Sequence, residues 1–471
     1  MRTLVTEPGP EGTPLGSVFR ACAPKQPAPS PLRDILIVKE GETKVDYNPG
    51  PGDVSRRKFL GSSAAVALAA PFAAKAVAAN DKIAVGMIGL GIRGSYLLER
   101  LYARSKETAT VAAICDAYTG NLAKAGVRIQ TLGGNTPKPY ADYRDLLRDK
   151  SIDAVFIATP EHLHATMLID ALAAGKHVYT EKPLAHTIEE GEKVLQAAAN
   201  SKQVVQVGTQ NRSNSLYVKA KEMVAAGMIG EVHYTRAFWY RNSLEDAPAW
   251  RYAIPADANE QNTDWLRFLG NAPKRPFSKA RFYQWRLYWD YSGGISTDLL
   301  VHQTDIAQFV LGKPAPQACM AGGAILRWTH DDREVPDTMS AIYEYPGGFH
   351  LNYSCYFGND HYGYGEQFMG NEGTIEVLNR QSLNFYPEKL GGKAPQRVAA
   401  RKELGISLPG NDAKAVEEHI HNFFEAVRGR ETVVAPLDAG QRAAISGHLA
   451  TLSFRRNRKI FWDEQTRQYH S

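Results

Sequence analysis

Residues 83–94 read Ile-Ala-Val-Gly-Met-Ile-Gly-Leu-Gly-Ile-Arg-Gly, an apolar run of strand length that leads into a glycine-rich turn. Gly89, Gly91 and Gly94 give the spacing GxGxxG, and an amphipathic helical stretch begins near Ser95. Glycine lets the backbone approach a pyrophosphate closely, and the start of a helix offers N–H groups and a positive dipole end. The stretch therefore predicts a dinucleotide-binding turn between a strand and a helix.

Asp116 ends the next apolar run, in the segment Ala-Ile-Cys-Asp. A carboxylate at this place accepts hydrogen bonds from an adenosine ribose and repels a 2′-phosphate. The residue therefore favours NAD over NADP as the cofactor. Arg93 inside the glycine turn keeps NADP possible, because a guanidinium group can bind either a pyrophosphate or a 2′-phosphate.

The pattern around the turn continues over residues 81–210. Apolar runs such as 111–114 and 154–158 alternate with amphipathic stretches of helical length. Continuous apolar strands that alternate with helices indicate a parallel sheet covered on both faces. We therefore predict an α/β protein whose N-terminal domain, residues 81–210, is a Rossmann dinucleotide-binding domain.

Two polar motifs follow later strands of this pattern: Thr-Pro-Glu-His-Leu-His at residues 159–164 and Glu-Lys-Pro at residues 181–183. With the glycine turn and Asp116, they resemble the Gfo/Idh/MocA family of nicotinamide-dependent sugar enzymes, which includes glucose-fructose oxidoreductase and inositol dehydrogenase. The resemblance extends from about Lys82 to the last helices. The predicted cofactor-binding residues are Gly89, Gly91, Arg93, Gly94, Asp116, Thr159, Pro160, His164, Glu181 and Lys182.

The pattern changes after Gly230 to runs with alternating or continuous apolar character, among them residues 232–240, 339–345 and 350–357. Such runs are typical of an antiparallel sheet with one open face. We therefore predict a C-terminal α+β domain, residues 211–471, that holds the substrate. The open sheet and the family resemblance both predict association into a homo-oligomer.

A helical stretch after Ser292-Gly-Gly carries Asp298, His302 and Asp305, and α-helical spacing places them on one face. A neutral histidine beside a carboxylate can accept a proton, although such pairs also occur on solvated helix faces. The resemblance places this Asp-x-x-x-His pair against the nicotinamide. On that basis His302 accepts the substrate hydroxyl proton and Asp298 orients the histidine. Lys182, before a cis proline peptide that the resemblance implies, stabilises the alkoxide.

Five of the seven tryptophans fall within residues 239–291, among eight other aromatic residues and six arginines. Aromatic faces combined with hydrogen-bonding arginines suit sugar rings, so this segment predicts a carbohydrate-lined cleft. The alternative is that most of these aromatic residues form a core or a subunit interface, where Trp, Tyr and Arg are also common.

Composition and charge exclude several classes of function. The chain has 471 residues, 44% apolar and 22% charged, which is ordinary for a globular protein with more than one domain. Residues 80–471 carry 45 basic and 43 acidic side chains, a balance that argues against a nucleic-acid partner.

Cysteine and histidine spacing argues against both a disulfide framework and a metal site. Cys115, Cys319 and Cys355 form no CxxC pair, and no closed set of metal ligands surrounds His302. A disulfide between Cys319 and Cys355 is conceivable in an oxidising compartment, but apolar flanks favour buried free thiols.

Residues 55–79 carry the pair Arg56-Arg57 ahead of Phe-Leu, then an Ala-rich run with Ala-Val-Ala at residues 76–78. This pattern resembles a twin-arginine export signal with its cleavage site, and it is short for a membrane anchor. We predict a signal peptide at residues 55–79, the twin-arginine export machinery as a partner, and a periplasmic or otherwise exported protein. Residues 1–54 are interpreted as a disordered lead or a translation start assigned too early.

These patterns together predict an NAD(P)-dependent oxidoreductase that acts on a sugar, polyol or glycoside hydroxyl. Because the periplasm offers no obvious pool of free nicotinamide, we expect a tightly bound cofactor that is recycled in place. The first alternative is a redox-neutral, NAD-dependent glycoside-cleaving enzyme. It ranks below the oxidoreductase because the glycosidases that this sequence resembles lack the Glu-Lys-Pro and Asp-x-x-x-His motifs. The other alternative is a noncatalytic periplasmic sugar-binding protein.

Overall fold

The structure is a computed structural model that describes residues 82–389 and 396–471. The predicted lead, residues 1–54, and the predicted signal peptide, residues 55–79, lie outside the described residues.

The first half of the described chain forms a six-stranded parallel sheet in the order β3-β2-β1-β4-β5-β6. Its central strands are apolar and buried because helices cover both faces, which confirms the predicted Rossmann fold. Its elements are β1 Ile83–Ile88, α1 Ile92–Ser105, β2 Ala109–Cys115, α2 Thr119–Thr131, β3 Lys138–Tyr140, α3 Tyr143–Arg148, β4 Ala154–Ile157, α4 Glu161–Ala173, β5 His177–Thr180, α5 Ile188–Ala199 and β6 Val205–Val207.

The strand order determines how the predicted site residues are arranged. Asp116 follows β2, Gly89 follows β1, Thr159 follows β4 and Glu181 follows β5. Because these four strands are adjacent and parallel, the residues lie in that order along one edge of the sheet. This is the edge at which α/β sheets bind ligands.

The second half forms a ten-stranded sheet in the order β14-β13-β12-β11-β7-β10-β9-β8-β15-β16. Only β7 and β10 are paired in parallel, which confirms the predicted mostly antiparallel sheet. Its strands are β7 Val232–Asn242, β8 Ala318–Ala324, β9 Thr338–Tyr345, β10 Phe349–Tyr356, β11 Gly358–Gly370, β12 Gly373–Leu378, β13 Ser382–Pro387, β14 Leu404–Ser407, β15 Ile460–Asp463 and β16 Gln468–His470.

One face of this sheet packs against helices and the other is open. Burial alternates along β9 and β10, as expected for a sheet with one solvated face. Helices α9 and α12 cover the inner face. The helices of this half are α6 Ser215–Ala225, α7 Trp265–Leu269, α8 Lys279–Tyr283, α9 Val301–Leu311, α10 Gln396–Ala399, α11 Asn411–Val427 and α12 Leu437–Arg456.

Helix α11 returns to the first domain, although the sequence division at residue 210 assigns it to the second. Phe423 and Phe424 contact the ring of Phe156 on β4 at centroid distances of 5.6 and 5.9 Å. On the helix surface, Arg100 of α1 and Glu417 form an ion pair of 2.8 Å. The core of the nucleotide-binding domain therefore contains a helix that follows most of the second domain in the chain.

Cys115, Cys319 and Cys355 are buried and free, which confirms the preference for buried thiols over a disulfide. Within residues 82–389 and 396–471, no helix has both the length and the apolar character needed to cross a membrane.

Candidate active site

A cavity of about 660 Å³ lies between the ligand-binding edge of the parallel sheet and residues of the second domain. This size is typical of small-molecule and cofactor sites. Of the predicted site residues, the cavity is lined by Gly89, Gly91, Arg93, Asp116, Thr159, Pro160, His164, Glu181, Lys182, Asp298 and His302. Gly94 lies behind them.

The three glycines of the turn have different roles. Gly89 has a φ of +86°, and a Cβ atom there would lie 2.7 Å from the Ala158 carbonyl oxygen. A Cβ atom on Gly94 would lie 1.9 Å from the Gly89 carbonyl oxygen, so close packing of α1 requires glycine. At Gly91 a Cβ atom would meet nothing within 4 Å. The open space before the N-terminus of α1 therefore fits a dinucleotide pyrophosphate.

Helix α1 begins at Ile92, three residues before the predicted start near Ser95. Its N-cap, Gly91, makes no side-chain capping hydrogen bond. The first N–H groups of the helix therefore have no side-chain acceptor from the cap residue, which suits an anionic ligand.

The Asp116 carboxylate lies just after β2 and is fixed beside the glycine turn. It accepts hydrogen bonds from the backbone N–H groups of Leu90 and Tyr118, at 2.6 and 2.8 Å, and from Asn121 at 3.2 Å. Burial raises the pKa of Asp116, although these three hydrogen bonds oppose the shift. The carboxylate is thus fixed at the position where a ribose hydroxyl would donate to it.

Arg93 points away from Asp116 along the edge of the sheet. Its Nε donates to Glu181 Oε1 at 2.8 Å, and its Nη2 donates to Gln210 Oε1 at 3.3 Å. The guanidinium group is therefore engaged near the end of β5, and the structure provides no contact between it and the ribose end of the cavity.

The motif at residues 159–164 holds two loops together. His164 places Nδ1 at 2.7 Å from the Pro183 carbonyl oxygen and Nε2 at 2.8 Å from the Thr159 carbonyl oxygen. Burial lowers the pKa of His164. Although His164 borders the cavity, both ring nitrogens face backbone carbonyl oxygens, and the one that carries the proton donates, so the histidine positions the loops that follow β4 and β5. Pro160 ends that first loop as the N-cap of α4.

Lys182 and Asp298 form the centre of the second part of the cavity. The Lys182–Pro183 peptide is cis, as expected from the resemblance. Lys182 Nζ donates to the Asp298 carbonyl oxygen at 2.7 Å and to its Oδ1 at 3.0 Å. Arg286 Nε donates to the same Oδ1 at 3.1 Å. Burial alone would raise the pKa of Asp298, but Arg286 and Lys182 outweigh it and keep this carboxyl ionised.

The structure corrects the expected role of Asp298. The carboxylate binds Lys182 and Arg286, whereas the buried Nδ1 of His302 has no hydrogen-bond partner within the described part of the chain. Asp298 therefore positions the lysine and does not orient the histidine directly. Residues 296–300 form a π turn, which holds more residues per turn than the α-helix assumed from the spacing.

His302 is 7% exposed and lies against the Trp239 ring at a centroid distance of 5.9 Å. Burial lowers the pKa of His302 well below its ordinary value, and the nearby Lys182 and Arg380 lower it further. The imidazole is thus neutral at physiological pH. Because Nδ1 is buried, Nε2 is the nitrogen that a substrate can reach.

Asp305 does not join the cavity. Its carboxylate is fully buried and accepts hydrogen bonds from Arg212 Nε at 2.9 and 3.0 Å. The helical spacing groups this residue with Asp298 and His302, but in the structure it belongs to a buried ion pair.

The aromatic segment divides between the cavity and the core. Trp239 and Trp285 line the cavity, whereas Trp250 and Trp265 are buried in the core of the second domain. The segment therefore contributes both to the wall of the cavity and to the core, and Trp239 and Phe268 belong to both. Its members that line the cavity are Trp239, Arg241, Tyr252, Arg267, Phe268, Phe282, Tyr283, Trp285 and Arg286.

Three polar residues near the predicted site residues were not predicted from the sequence. Glu161 is buried and accepts hydrogen bonds from Ser292 Oγ at 2.7 Å and Gly293 N–H at 3.2 Å. Gln210 contacts Arg93, and Arg380 lines the cavity beside His302. Only Glu161 carried a local signal, since it stands inside the motif at 159–164.

The described residues contain no group of three or more His, Cys, Asp or Glu side chains that could hold a metal ion. They do fit a dinucleotide, because Asp116, the open space at Gly91 and the start of α1 lie along one edge of the same cavity. The cavity then continues to Lys182 and His302, where the substrate carbon would have to lie.

Two family models match the chain. The model described as "Oxidoreductase family, NAD-binding Rossmann fold" matches residues 83–209. The model described as "Oxidoreductase family, C-terminal alpha/beta domain" matches residues 270–461. Both halves of the described fold are thus matched in chain order.

Two curated relatives match the chain over part of its length. An inositol 2-dehydrogenase of Salmonella paratyphi B is 36% identical over 147 residues, which cover 31% of this chain and 42% of that protein. A protein named glycosyl hydrolase family 109 protein 2, from a Shewanella species, is 33% identical over 194 residues, which cover 38% of this chain and 41% of that protein. The chain thus aligns with less than half the length of these relatives.

Solved structures match both domains. A levoglucosan dehydrogenase in complex with NADH and levoglucosan superposes with a TM-score of 0.61 at 20% identity. The match covers 80% of this chain and 98% of that one, so the two proteins share the fold.

Proposed function

Because the chain belongs to the Gfo/Idh/MocA oxidoreductase family, we propose that it is an NAD-dependent dehydrogenase of a sugar, polyol or glycoside hydroxyl. The observation that carries the proposal is the convergence of Lys182, Asp298 and His302 on a cavity that also contains the glycine turn and Asp116. The inositol and levoglucosan dehydrogenases among its relatives and structural neighbours support the substrate class.

The chain's own residues account for the proton and the developing charge. NAD, when bound, accepts a hydride from the substrate carbon. His302 is neutral and takes the hydroxyl proton on Nε2. Lys182 Nζ has three donors, of which two are directed to Asp298, and the third stabilises the substrate oxygen as negative charge develops.

Asp298 maintains this arrangement through its two cationic partners. Lys182 and Arg286 both contact Oδ1, and the side chain of Lys182 is only 10% exposed. A cation held in a largely dry cavity acts more strongly on a developing alkoxide than a solvated one. The geometry thus serves alcohol oxidation at the end of the cavity remote from Asp116.

The test is NADH formation by the purified protein with a panel of hexoses, hexuronates, inositols and glycosides. We expect NADH formation with at least one member of this panel and its loss in His302→Ala. A protein that binds NAD yet reduces none with any panel member would contradict the proposal.

The second candidate is redox-neutral cleavage of a glycoside, favoured by the similarity to the glycosyl hydrolase family 109 protein. It would use the same groups to oxidise a sugar transiently before elimination. Release of an aglycone from a glycoside, with no net NADH formation, would assign this function instead.

We also propose that the cofactor is retained and recycled, and that the protein is exported. The support is Arg56-Arg57 and the following Ala-rich run, which lie outside the described residues. Denaturation of the purified protein should release a stoichiometric nucleotide, identified by its mass. Cell fractionation of an Arg56→Lys, Arg57→Lys double variant should show retention in the cytoplasm, while the unaltered chain is exported.

The open sheet face supports the proposal of a homo-oligomer. Large apolar side chains that are 37–49% exposed lie on this one face of the sheet. A second copy of the chain would cover them. They are Tyr234, Met320, Ile342, Met369 and Phe461.

A further inference from the structure

Glu161 joins the two domains through a buried carboxyl group. It is the first residue of α4 and is 1% exposed. Its Oε1 accepts a hydrogen bond from Ser292 Oγ at 2.7 Å, and its Oε2 accepts one from the Gly293 N–H at 3.2 Å. Ser292 and Gly293 belong to the second domain, 131 and 132 residues further along the chain. Glu161 does not line the cavity, so it can act on a substrate only through the residues that it holds.

The turn at residues 292–294 is also fixed by hydrogen bonds of its own. Ser292 Oγ accepts the Gly294 N–H at 3.0 Å, and the Gly293 N–H donates in addition to Thr297 Oγ1 at 2.9 Å. A Cβ atom on Gly293 would collide with Thr297 Cγ2, so the turn packs directly on the helical segment that follows. The turn and this segment therefore move together.

The segment after the turn carries Asp298 and His302. The Asp298 N–H donates to the Gly294 carbonyl oxygen at 2.9 Å, so helical hydrogen bonding starts at the turn itself. His302 follows the π turn at residues 296–300, in the first turn of α9. A shift of the turn would therefore displace both side chains relative to the cavity.

The first turn of α4 also holds the loop that carries Lys182. His164, three residues after Glu161, places Nδ1 at 2.7 Å from the carbonyl oxygen of Pro183, the residue after Lys182. Residues three apart on a helix are neighbours on its surface. Through His164 this helical turn fixes the loop of Lys182, and through Glu161 it fixes the turn before Asp298. One element thus positions two groups that meet in the cavity.

The contact between Lys182 and Asp298 depends on this arrangement. Lys182 Nζ lies 3.0 Å from Asp298 Oδ1, and the two side chains are 10% and 12% exposed. Lys182 follows β5 of the first domain, whereas Asp298 belongs to the second. Hydrogen bonds of this type extend to about 3.2 Å, so the pair requires that the domains are held closely in register. Glu161 lies near enough to both charges to interact with them electrostatically.

We propose that Glu161 is a positioning residue, which holds Asp298 against Lys182 across the boundary between the two domains. Without its carboxyl group, the turn before Asp298 loses two hydrogen bonds to α4 and can shift away from Lys182. The inference rests on the proposed function where it concerns turnover. The effect on the Lys182–Asp298 pair itself is measured without a substrate.

The first test measures how firmly Lys182 is held, by its reaction with an acetylating reagent in the purified protein. Mass spectrometry gives the acetylation rate of Lys182 relative to that of Lys138, whose side chain is 65% exposed. We expect the relative rate to rise about tenfold in Glu161→Ala, as the loss of one hydrogen bond implies. Glu161→Gln, which keeps the size of the side chain and one acceptor, should give a smaller rise.

Two further variants separate positioning from a loss of stability. Ser292→Ala removes a single hydroxyl group and should raise the relative rate less than Glu161→Ala does. Asp337→Ala is the control and should leave the rate unchanged. Asp337 is fully buried and accepts three backbone N–H groups, and it lies outside the cavity.

The second test uses a sugar that the protein turns over and measures formation of the oxidised sugar. We expect Glu161→Ala to lower kcat about tenfold and to leave NAD affinity unchanged, because Glu161 does not line the cavity. In the Lys182→Met background the same substitution should have little further effect, since both changes act on one group. A loss caused only by lower stability would multiply in the double variant.

An unchanged acetylation rate of Lys182 in Glu161→Ala would overturn the inference, as would an equal rise in Asp337→Ala. Multiplication of the two kcat losses, or a loss of NAD affinity equal to the loss of kcat, would overturn it as well. A raised acetylation rate in a protein that turns over no sugar would refute the proposed function and still support the positioning role of Glu161.

Discussion

Lys182 Nζ donates to two oxygens of the same residue, the backbone carbonyl of Asp298 at 2.7 Å and its carboxylate Oδ1 at 3.0 Å. A lysine held at two points has little rotational freedom left, so its third N–H is directed by the other two. The pair therefore acts as one unit, and removal of either member disturbs the position of positive charge in the cavity.

The variant Lys182→Met should lower kcat about 10²- to 10³-fold, because a preorganised donor at the developing oxyanion is lost. KM should change little, since the interaction strengthens as charge develops. Steady-state formation of the oxidised sugar measures both quantities. Lys176→Met is the matched control: Lys176 is 6% exposed and donates to the carbonyls of Asp149 and Ile152, away from the cavity. Comparable losses in both variants would assign Lys182 a structural role only.

The pH profile should reflect a histidine that resists protonation. Burial, Lys182 and Arg380 lower the pKa of His302, so the base stays neutral well below pH 6.5. We therefore expect that protonation of His302 does not lower kcat/KM for sugar oxidation between about pH 6.5 and pH 8. Its fall should begin only at lower pH. An acidic limb centred at pH 6.5 or higher would contradict the assignment of His302 as the base.

Asp116 should decide the preference for NAD. Its carboxylate is fixed by Leu90, Tyr118 and Asn121, so a 2′-phosphate would meet a negative charge that cannot move away. We expect NAD to bind more tightly than NADP. The variant Asp116→Ser should bind NAD about tenfold more weakly, and its affinities for NAD and NADP should differ less than those of the unaltered protein. Binding of both nucleotides by fluorescence titration measures this. The control Asp153→Asn alters a carboxylate that accepts the Ala84 N–H at 2.8 Å outside the cavity.

Glu366 should make stability depend on pH. Its folded pKa of about 8 lies above the ordinary value, so the folded state holds a proton that the unfolded state releases. The contribution of Glu366 to the free energy of unfolding is fully present below about pH 4.5 and is lost as the pH rises towards 8. Each pKa unit corresponds to about 1.4 kcal/mol, so the free energy of unfolding should fall by several kcal/mol over that interval.

The variant Glu366→Gln should flatten this part of the profile. Urea unfolding at several pH values measures the slope, with Glu376→Gln as a control on the neighbouring strand β12. A slope that is the same in the Glu366 variant and in the unaltered protein would show that the carboxyl ionises without cost in the folded state.

The open face of the ten-stranded sheet should control assembly. Ile342 and Met320 are paired across β9 and β8 and are 49% and 44% exposed. We expect the unaltered protein to be a homo-oligomer and Ile342→Glu to be a monomer, because a charge would have to be desolvated at the interface. Light scattering after gel filtration measures the mass. Leu266→Glu, at a residue 75% exposed on α7, should leave the mass unchanged.

Local patterns in the sequence predicted the fold and the edge of the sheet that carries the site. The glycine turn, Asp116 and the two polar motifs each follow an apolar strand, so the parallel order of the strands brings them together without further information. The buried thiols and the open sheet were also predictable, since both follow from the apolar character and alternation of single strands.

The relations within the site were less accessible, because they depend on residues far apart in the chain. Asp298 binds a lysine 116 residues away, and nothing near Asp298 indicates this preference over the adjacent histidine. The π turn at residues 296–300 also changes the directions of the side chains, so that α-helical spacing does not predict which of them share a face. Arg380 has no motif around it, and only the folded chain shows that it lines the cavity.

Helix α11 has a consequence for the order in which the protein matures. Phe423 and Phe424 complete the core around Phe156, so a ribosome must reach residue 427 before the nucleotide-binding domain can close. A nascent chain that ends after β6 would present the Phe156 side of its sheet to water. The core of the nucleotide-binding domain is therefore complete only after most of the second domain has been synthesised.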